Sequence, residues 1–489
     1  MEKSTLLVGF SKKKITPSRD VYLGGYIGED SEENLCRYPQ DVLGDVYVTT
    51  VCFSDGSEKA LLICIDNCLN IVGETTPPDF LESIEKVSGV PSTSIFLTNT
   101  HNHQSIKYIQ EQEVTIILES AKEASRDLRP VDAQWVQFHS DIGVNRRPKY
   151  IVSPHLPYDN TMSALCLSSE GRKDLIFLSY RIHNTAFGVG RMENAHYIFG
   201  ELMGSAIDYL ESNVDCVVFF ANGFYGASGP NINGLHSADY QDIVLAGQQL
   251  GYDISRSLEQ FSQTELCGLQ VFNYEHRLPA NKIYGADAYE SLHIKVAKLG
   301  AFAFLAVDCE PFSVLGAWIK AFSPFEHTIL LGNVNNSTGY IPTDEAFDAG
   351  SEERECRLNK TPYQKGIAEI FRTHCLNALY DAAGKSFTVP FSVQLTHTGN
   401  GCYEATIPEE MCNRIVFDFG FLSRDNCASD FVFRAGSIVH TFEANSNNFV
   451  SLSFEAQSIT SIHLQVHNTY LNTRKADELS IIVHGIMIQ

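Results

Sequence analysis

Residues 94–103 read SIFLTNTHNH, and residues 175–188 read LIFLSYRIHNTAFG. In each, a short apolar run passes without a break into a polar loop that carries histidine. Such runs are short for a helix and rich in Ile, Leu and Phe, which suits a strand. Residues 215–231, DCVVFFANGFYGASGPN, repeat the pattern with a glycine-rich loop. AFAFLAVDCEPFSVLGAWIKAF at 301–322 and HTILLGNVNNSTGYIP at 327–342 supply two more strands that end in polar loops. Helices are expected between these strands. FLESIEKVSGV (80–90), residues 111–128, AHYIFGELMGSAIDYLES (195–212) and residues 238–261 all have apolar residues three and four apart. Upstream, YVTTVCFSDGSEKALLICIDNC (47–68) reads as a hairpin turning at Asp55-Gly56. Strands that alternate with helices and end in polar loops predict an α/β domain with mixed sheets and catalytic loops at its strand ends.

The texture changes after the helical run IAEIFRTHCLNALYDAAGK (367–385). FTVPFSVQLTHTGNGCYEATI, RIVFDFGFL, FVFRAGSIVHTFEA and ELSIIVHGIMI are short strands separated by Gly, Asn and Ser. A boundary near residue 386 therefore divides a catalytic domain, 1–386, from a small all-β sandwich, 387–489. A chain of 489 residues is too long for one ordinary core, which agrees with a large domain plus a smaller one.

With 36 Lys+Arg against 59 Asp+Glu, the formal charge is −23. That argues against a nucleic-acid partner held by phosphate neutralisation, and against a polybasic grip on anionic membranes. No apolar run reaches the ~18 residues of a spanning helix, and the lysines at 12–14 interrupt any signal-like start, so a soluble chain is expected. Thirteen cysteines, an odd number without close CxxC pairs, suit reduced thiols packed as small hydrophobes in the cytoplasm.

The residues themselves suggest where chemistry sits. His101 and His103 flank Asn102, and alternation in an extended segment would turn both imidazoles to one side, as a metal pair requires. Loop histidines that merely hydrogen-bond to backbone are the other reading of the same pair. Three further strand ends each offer one suitable group: His183 in RIHNTAFG, Glu310 in VDCEPF and Tyr340 in STGYIP. Zinc takes three or four such N and O ligands and, for catalysis, keeps one position open.

Seven segments in order make the chain resemble the neutral/alkaline, non-lysosomal ceramidases over roughly residues 7–375. They are GFSKKKITPSRDVYLGGY, TNTHNHQS, IGVNRRP, RIHNTAFG, FFANGFYGASGPN, LAVDCEPF and GNVNNSTGYIPT. The resemblance implies one Zn²⁺ per chain, held by His101, His183, Glu310 and Tyr340. It implies hydrolysis of a linear amide by metal-activated water, with His103 protonating the departing amine. Arg146 falls on the family's loop arginine near the substrate, where a guanidinium holds a hydroxyl, carboxylate or oxyanion, and Asn145 would orient it. A surface arginine is the other reading. Ser228, Gly229 and Asn231 fall on the loop that faces the substrate.

Two departures bear on the substrate. Ala227 stands where the family has Asp, and Gly229 where it has Ser, so GASGPN reads as substrate-facing backbone and not as a nucleophile. DEAFDAGSEERECRLNKTPY (344–363) lacks the family's tyrosine-rich pattern and is far more polar. The expected partner is accordingly a small-molecule or lipid-like amide, more polar than a long-chain ceramide. The competing expectation from another class is a non-catalytic protein that keeps the metal site and binds a ligand or glycan.

Overall fold

In a computed structural model of the chain, the described residues are 6–17, 21–25, 38–145, 160–187, 197–232, 238–281, 284, 288–349 and 361–387, followed by the C-terminal strands named below. Three mixed sheets dominate. The first runs in the order Ile95–Asn99, Lys59–Ile65, Tyr47–Ser54, Leu7–Lys14, Arg129–Pro130. The second runs Cys216–Asn222, Asp174–Tyr180, Thr161–Ser168, Asp132–His139, Ser262–Thr264, and the third Gln270–Pro279, Tyr289–Leu299, Phe302–Val307, His327–Leu331. The Asp55-Gly56 hairpin forms, with Ser54 opposite Lys59.

The apolar runs are buried on both faces because each sheet lies between a shared core and its own helices. Alternate residues serve the two sides. Leu62 and Cys64 of the first sheet, Leu175 and Phe177 of the second, and Phe302 and Phe304 of the third meet in one cluster. Their neighbours point outward: Leu61 and Ile63 pack with Ile84 and Ile117 of the helices Phe80–Ser88 and Glu111–Ala124. Ile176 and Leu178 pack with Leu202 and Ile243 of Glu201–Asn213 and Tyr240–Leu258. Ala303 and Leu305 pack with Ile319 and Phe371 of Ser313–Phe322 and Ile367–Ala382. The sequence reading of 301–322 had only a strand. The second half is a helix because Leu315, Trp318, Ile319 and Phe322 recur at helical spacing and are all buried.

Beyond residue 386 the described strands form two five-stranded sheets. One joins Phe391–Val393, Ile486–Ile488, Arg414–Leu422 and Val450–Glu455, with Ser480–Ile482 also on Arg414–Leu422. The other runs Thr396–Gly399, Cys402–Thr406, Ser461–Thr469, Ala428–Ala435, Ile438–Asn445. No helix among the described residues is long and apolar enough to cross a membrane. Nine described cysteines are free thiols, seven of them buried.

One contact in the third sheet's outer layer predicts a pH dependence. His276 on Gln270–Pro279 stacks on His374 of the last helix, with ring centroids 3.9 Å apart. Burial holds both imidazoles below their usual pKa, and His276 lowers His374 further. The fold thus favours the neutral rings. As pH falls through about 6.5 the unfolded chain takes up these protons first, so the pair's stability is full above that pH and is lost below it. Thermal melts on either side of it should show an acid loss that shrinks in His374→Gln; an unchanged slope would exclude the pair as its source.

Candidate metal centre at three strand ends

Each sheet contains one parallel pair of strands, and the three pairs deliver their carboxyl ends to one place. In the first sheet the pair ends at Ile65 opposite Asn99, in the second at Tyr180 opposite Asn222, and in the third at Ala306 opposite Leu331. The chain leaves these ends as Asp66–Cys68 and Thr100–His103, as Arg181–His183 and Gly223–Ser228, and as Val307–Glu310 and Gly332–Tyr340. A further two-residue ladder sets Glu310 opposite Tyr340.

Asparagine side chains join the three ends. Asn222 donates to the carbonyls of Thr100 (3.2 Å) and Ile182 (3.1 Å), and its backbone oxygen accepts from Gly332 N. Asn335 docks on the edge of the first sheet as a strand residue would. Its N–H donates to Leu97 O (2.9 Å), its Oδ1 accepts from Leu97 N (2.7 Å), and its Nδ2 donates to Ile95 O (3.1 Å). Both Asn333 and Asn335 have positive φ, a conformation that asparagine tolerates better than most residues.

His101, His183 and Glu310 come together, each offering one ligand atom within 4.8 Å of the others, and all three are buried. His183 Nε2 lies 2.7 Å from Glu310 Oε1, and His101 Nε2 lies 4.0 Å from the same oxygen. Tyr340 Oη is 3.2 Å from His183 Nε2. The protons on the imidazoles are placed by what faces Nδ1. For His183 this is the carbonyl of Tyr225 (2.8 Å) and that of Ser228 (3.0 Å); for His101 it is the carbonyl of Cys68 (3.2 Å). Carbonyls only accept, so the Nδ1 of His183 carries the hydrogen and the Nε2 of that neutral ring presents a lone pair; at His101 the Cys68 carbonyl shares Nδ1 with the hydroxyl of Tyr225, which can donate or accept. Glu310 Oε1 is buried with no hydrogen-bond donor. Two imidazole nitrogens and a carboxylate oxygen thus converge in a buried space, where a cation among the three, or a proton between His183 and Glu310, balances the charge. The donor set fits zinc.

The loop that carries His183 is held from behind. Glu201, fully buried at positive φ as the first residue of its helix, accepts from the N–H groups of Ala186 and Phe187, and Asn184 bonds to Gly200 O and Met203 N. On the other side Asp66 accepts from Thr100 Oγ1 (2.7 Å) and Asn102 Nδ2 (3.0 Å). Burial pushes its carboxyl up to about 6, against the pull of these hydrogen bonds.

The extended geometry expected at 101–103 is not what forms. His101 has φ 57°, because its N–H turns back to Asn99 Oδ1 (3.0 Å) while Asn102 N reaches Asn67 O. The two rings are nonetheless neighbours, with centroids 4.9 Å apart. Ser228 is fully buried and donates its hydroxyl to Arg181 O, so its part is to hold the loop whose carbonyl faces His183. Gly229 pairs with Val144 and Ser228 with Asn145; Asn231 is exposed and donates its N–H to Ile142 O. Arg146 and the polar stretch 350–360 lie outside the described residues.

Tyr225 escaped the sequence reading. Its hydroxyl lies 3.1 Å from His101 Nδ1 and accepts from Asn333 Nδ2 (2.6 Å), and its carbonyl faces His183, so one residue touches both imidazoles. Burial and the nearby Glu310 charge hold its phenol well above the usual pKa, hence protonated. A tyrosine in a glycine-rich loop between two strand ends, FYGASG, was the available signal.

No protein-family profile and no curated protein sequence matches the chain. Solved structures do. A neutral ceramidase from Pseudomonas aeruginosa superposes with a TM-score of 0.62 at 13% identity, over 95% of this chain and 93% of that one. The chain has the neutral ceramidase fold. A second ceramidase structure, complexed with C2, superposes at TM-score 0.60 and 13% identity, over 94% of this chain and 93% of that one. At this identity the ceramidase likeness is one of fold, and it spans nearly the whole chain, the C-terminal strands included.

Proposed function

We propose that the chain is a metal-dependent hydrolase that cleaves a linear amide. His101, His183 and Glu310 would hold one zinc ion, with Tyr340 as a further ligand. The observation that carries this reading is the buried Glu310 oxygen beside the Nε2 atoms of two imidazoles whose Nδ1 atoms are engaged on their far sides. A bound cation would supply Lewis-acid polarisation of the carbonyl and a lowered pKa for water.

The chain's own groups do the rest. The Tyr225 and Ser228 carbonyls keep His183 in the tautomer that binds, and the Cys68 carbonyl does so for His101. His103, partly exposed beside His101, is the group that delivers a proton to the departing nitrogen. Arg146, with Asn145, holds the substrate's polar end, and the loop 228–231 lines its path. Residues 387–489 are read as a separate β-sandwich domain and the protein as cytoplasmic, a reading that the free thiols among the described cysteines support.

The preferred substrate is smaller or more polar than a long-chain ceramide. Burying an acyl chain stabilises binding by about 0.8 kcal/mol per CH₂ only where an apolar groove receives it. The stretch GSEERECRLNK (350–360) resists that burial. Turnover measured on zinc-loaded protein across N-acyl substrates of graded chain length should fall or stay flat as the chain grows. Efficiency that climbs with each methylene would restore a long-chain ceramide. Absence of hydrolysis of every amide and ester, with the metal bound, would leave a ligand- or glycan-binding protein.

A further inference from the structure

A second group of ligand atoms shares His101. Cys68, His101 and His103 each offer one atom within 4.8 Å of the others, with Cys68 and His101 buried and His103 partly so. Cys68 leaves the same parallel pair of strands as the two histidines. It follows Asp66 and Asn67 at the end of Lys59–Ile65, and the backbone bond from Asn102 N to Asn67 O ties its segment to theirs.

Gly24 and Gly25 pack over this group from outside. A Cβ on Gly24 would lie 2.7 Å from Cys68 Cβ, and one on Gly25, at φ +65°, would lie 2.1 Å from His103 Nδ1. Each glycine lets the backbone close on one of the two residues that the His101–His183–Glu310 set does not use. Gly24 and Gly25 are thereby in close contact with Cys68 and His103.

We propose that Cys68, His101 and His103 form a second, sulfur-containing cation position beside the first, suited to thiophilic ions. A thiolate and two imidazoles are a softer set than two imidazoles and a carboxylate. Because a neutral imidazole has one lone pair, His101 serves one ion at a time, and the two positions compete. A zinc ion displaced toward Cys68 leaves Glu310 and His183, so the sulfur position holds metal in a form without the carboxylate ligand. The inference shares with the proposed function the premise that these side chains bind a cation, and the variants below separate the two.

The probe is Cd²⁺ added to metal-free protein, read by the thiolate-to-metal charge-transfer absorption in the ultraviolet. The wild type should develop the band with one ion per chain. Cys68→Ser should lose it, and so should Cys68→Ala, while Cys267→Ser, which removes a partly exposed thiol elsewhere, should keep it. His183→Ala should keep the band although the first position has lost a ligand, so failure of the proposed function would not remove it. Added Zn²⁺ should reduce the band by competition in the wild type. No band in the wild type, or a band that survives in both Cys68 variants, would overturn the proposal.

Discussion

His183→Ala is expected to lose both the ion at the His101–His183–Glu310 position and hydrolysis, with activity down by well over ~100-fold. Replacing a residue that merely orients a ligand costs about 10–100-fold, and His183 is assigned as a ligand itself. Its Nε2 is the group nearest Glu310 Oε1, at 2.7 Å. The substitution also removes the imidazole donor from the Tyr225 and Ser228 carbonyls, which keep only the backbone N–H groups of Ser228 and of position 183. A loss of fold is therefore the competing explanation, and Glu310→Gln separates them. Its amide can donate to His183 Nε2 in place of a cation, so it should remain folded, melt no lower than metal-free wild type, and lose the ion held by His101, His183 and Glu310. If Glu310→Gln binds zinc and turns over substrate as the wild type does, the carboxylate is not a ligand.

His103→Ala is expected to keep the metal and lose rate, by about 10²–10⁴-fold, the usual contribution of a positioned acid or base. The ring stands beside His101 but outside the group of His101, His183 and Glu310, and Gly25 fixes its position. The kcat–pH profile should lose the limb that reports the acid, which a merely structural role would leave in place. If His103→Ala empties the zinc position while His101→Ala does not, the roles within the pair are reversed.

The strands were legible because their signal is local. Apolar runs such as SIFLT and LIFLS are buried on both faces, and the group that follows each run lies where a parallel pair ends. Residue type and position after a strand offered His101, His183, Glu310 and Tyr340 as candidates, and the resemblance to the ceramidases joined them into one set. The left-handed turn at His101 was not legible, because it depends on Asn99 and Asn67, which act only once two strands are adjacent. The same holds for Tyr225, whose partners His101 and Asn333 are more than a hundred residues away in sequence. The long pairing of Gln270–Pro279 with Tyr289–Leu299 went unread because its strands are half-exposed and lack the continuous apolar run that marked the others.

The central claim is that three buried acceptors at the ends of three sheets are held together by a cation. Elemental analysis of purified protein, with wild type and Glu310→Gln side by side, tests it most directly. One transition-metal ion per wild-type chain, zinc above all, and none in the variant once Cys68→Ser also removes the sulfur position, is the expected result. A wild-type chain that binds no stoichiometric metal when zinc is supplied, or a doubly substituted chain that binds as much as the wild type, would contradict it.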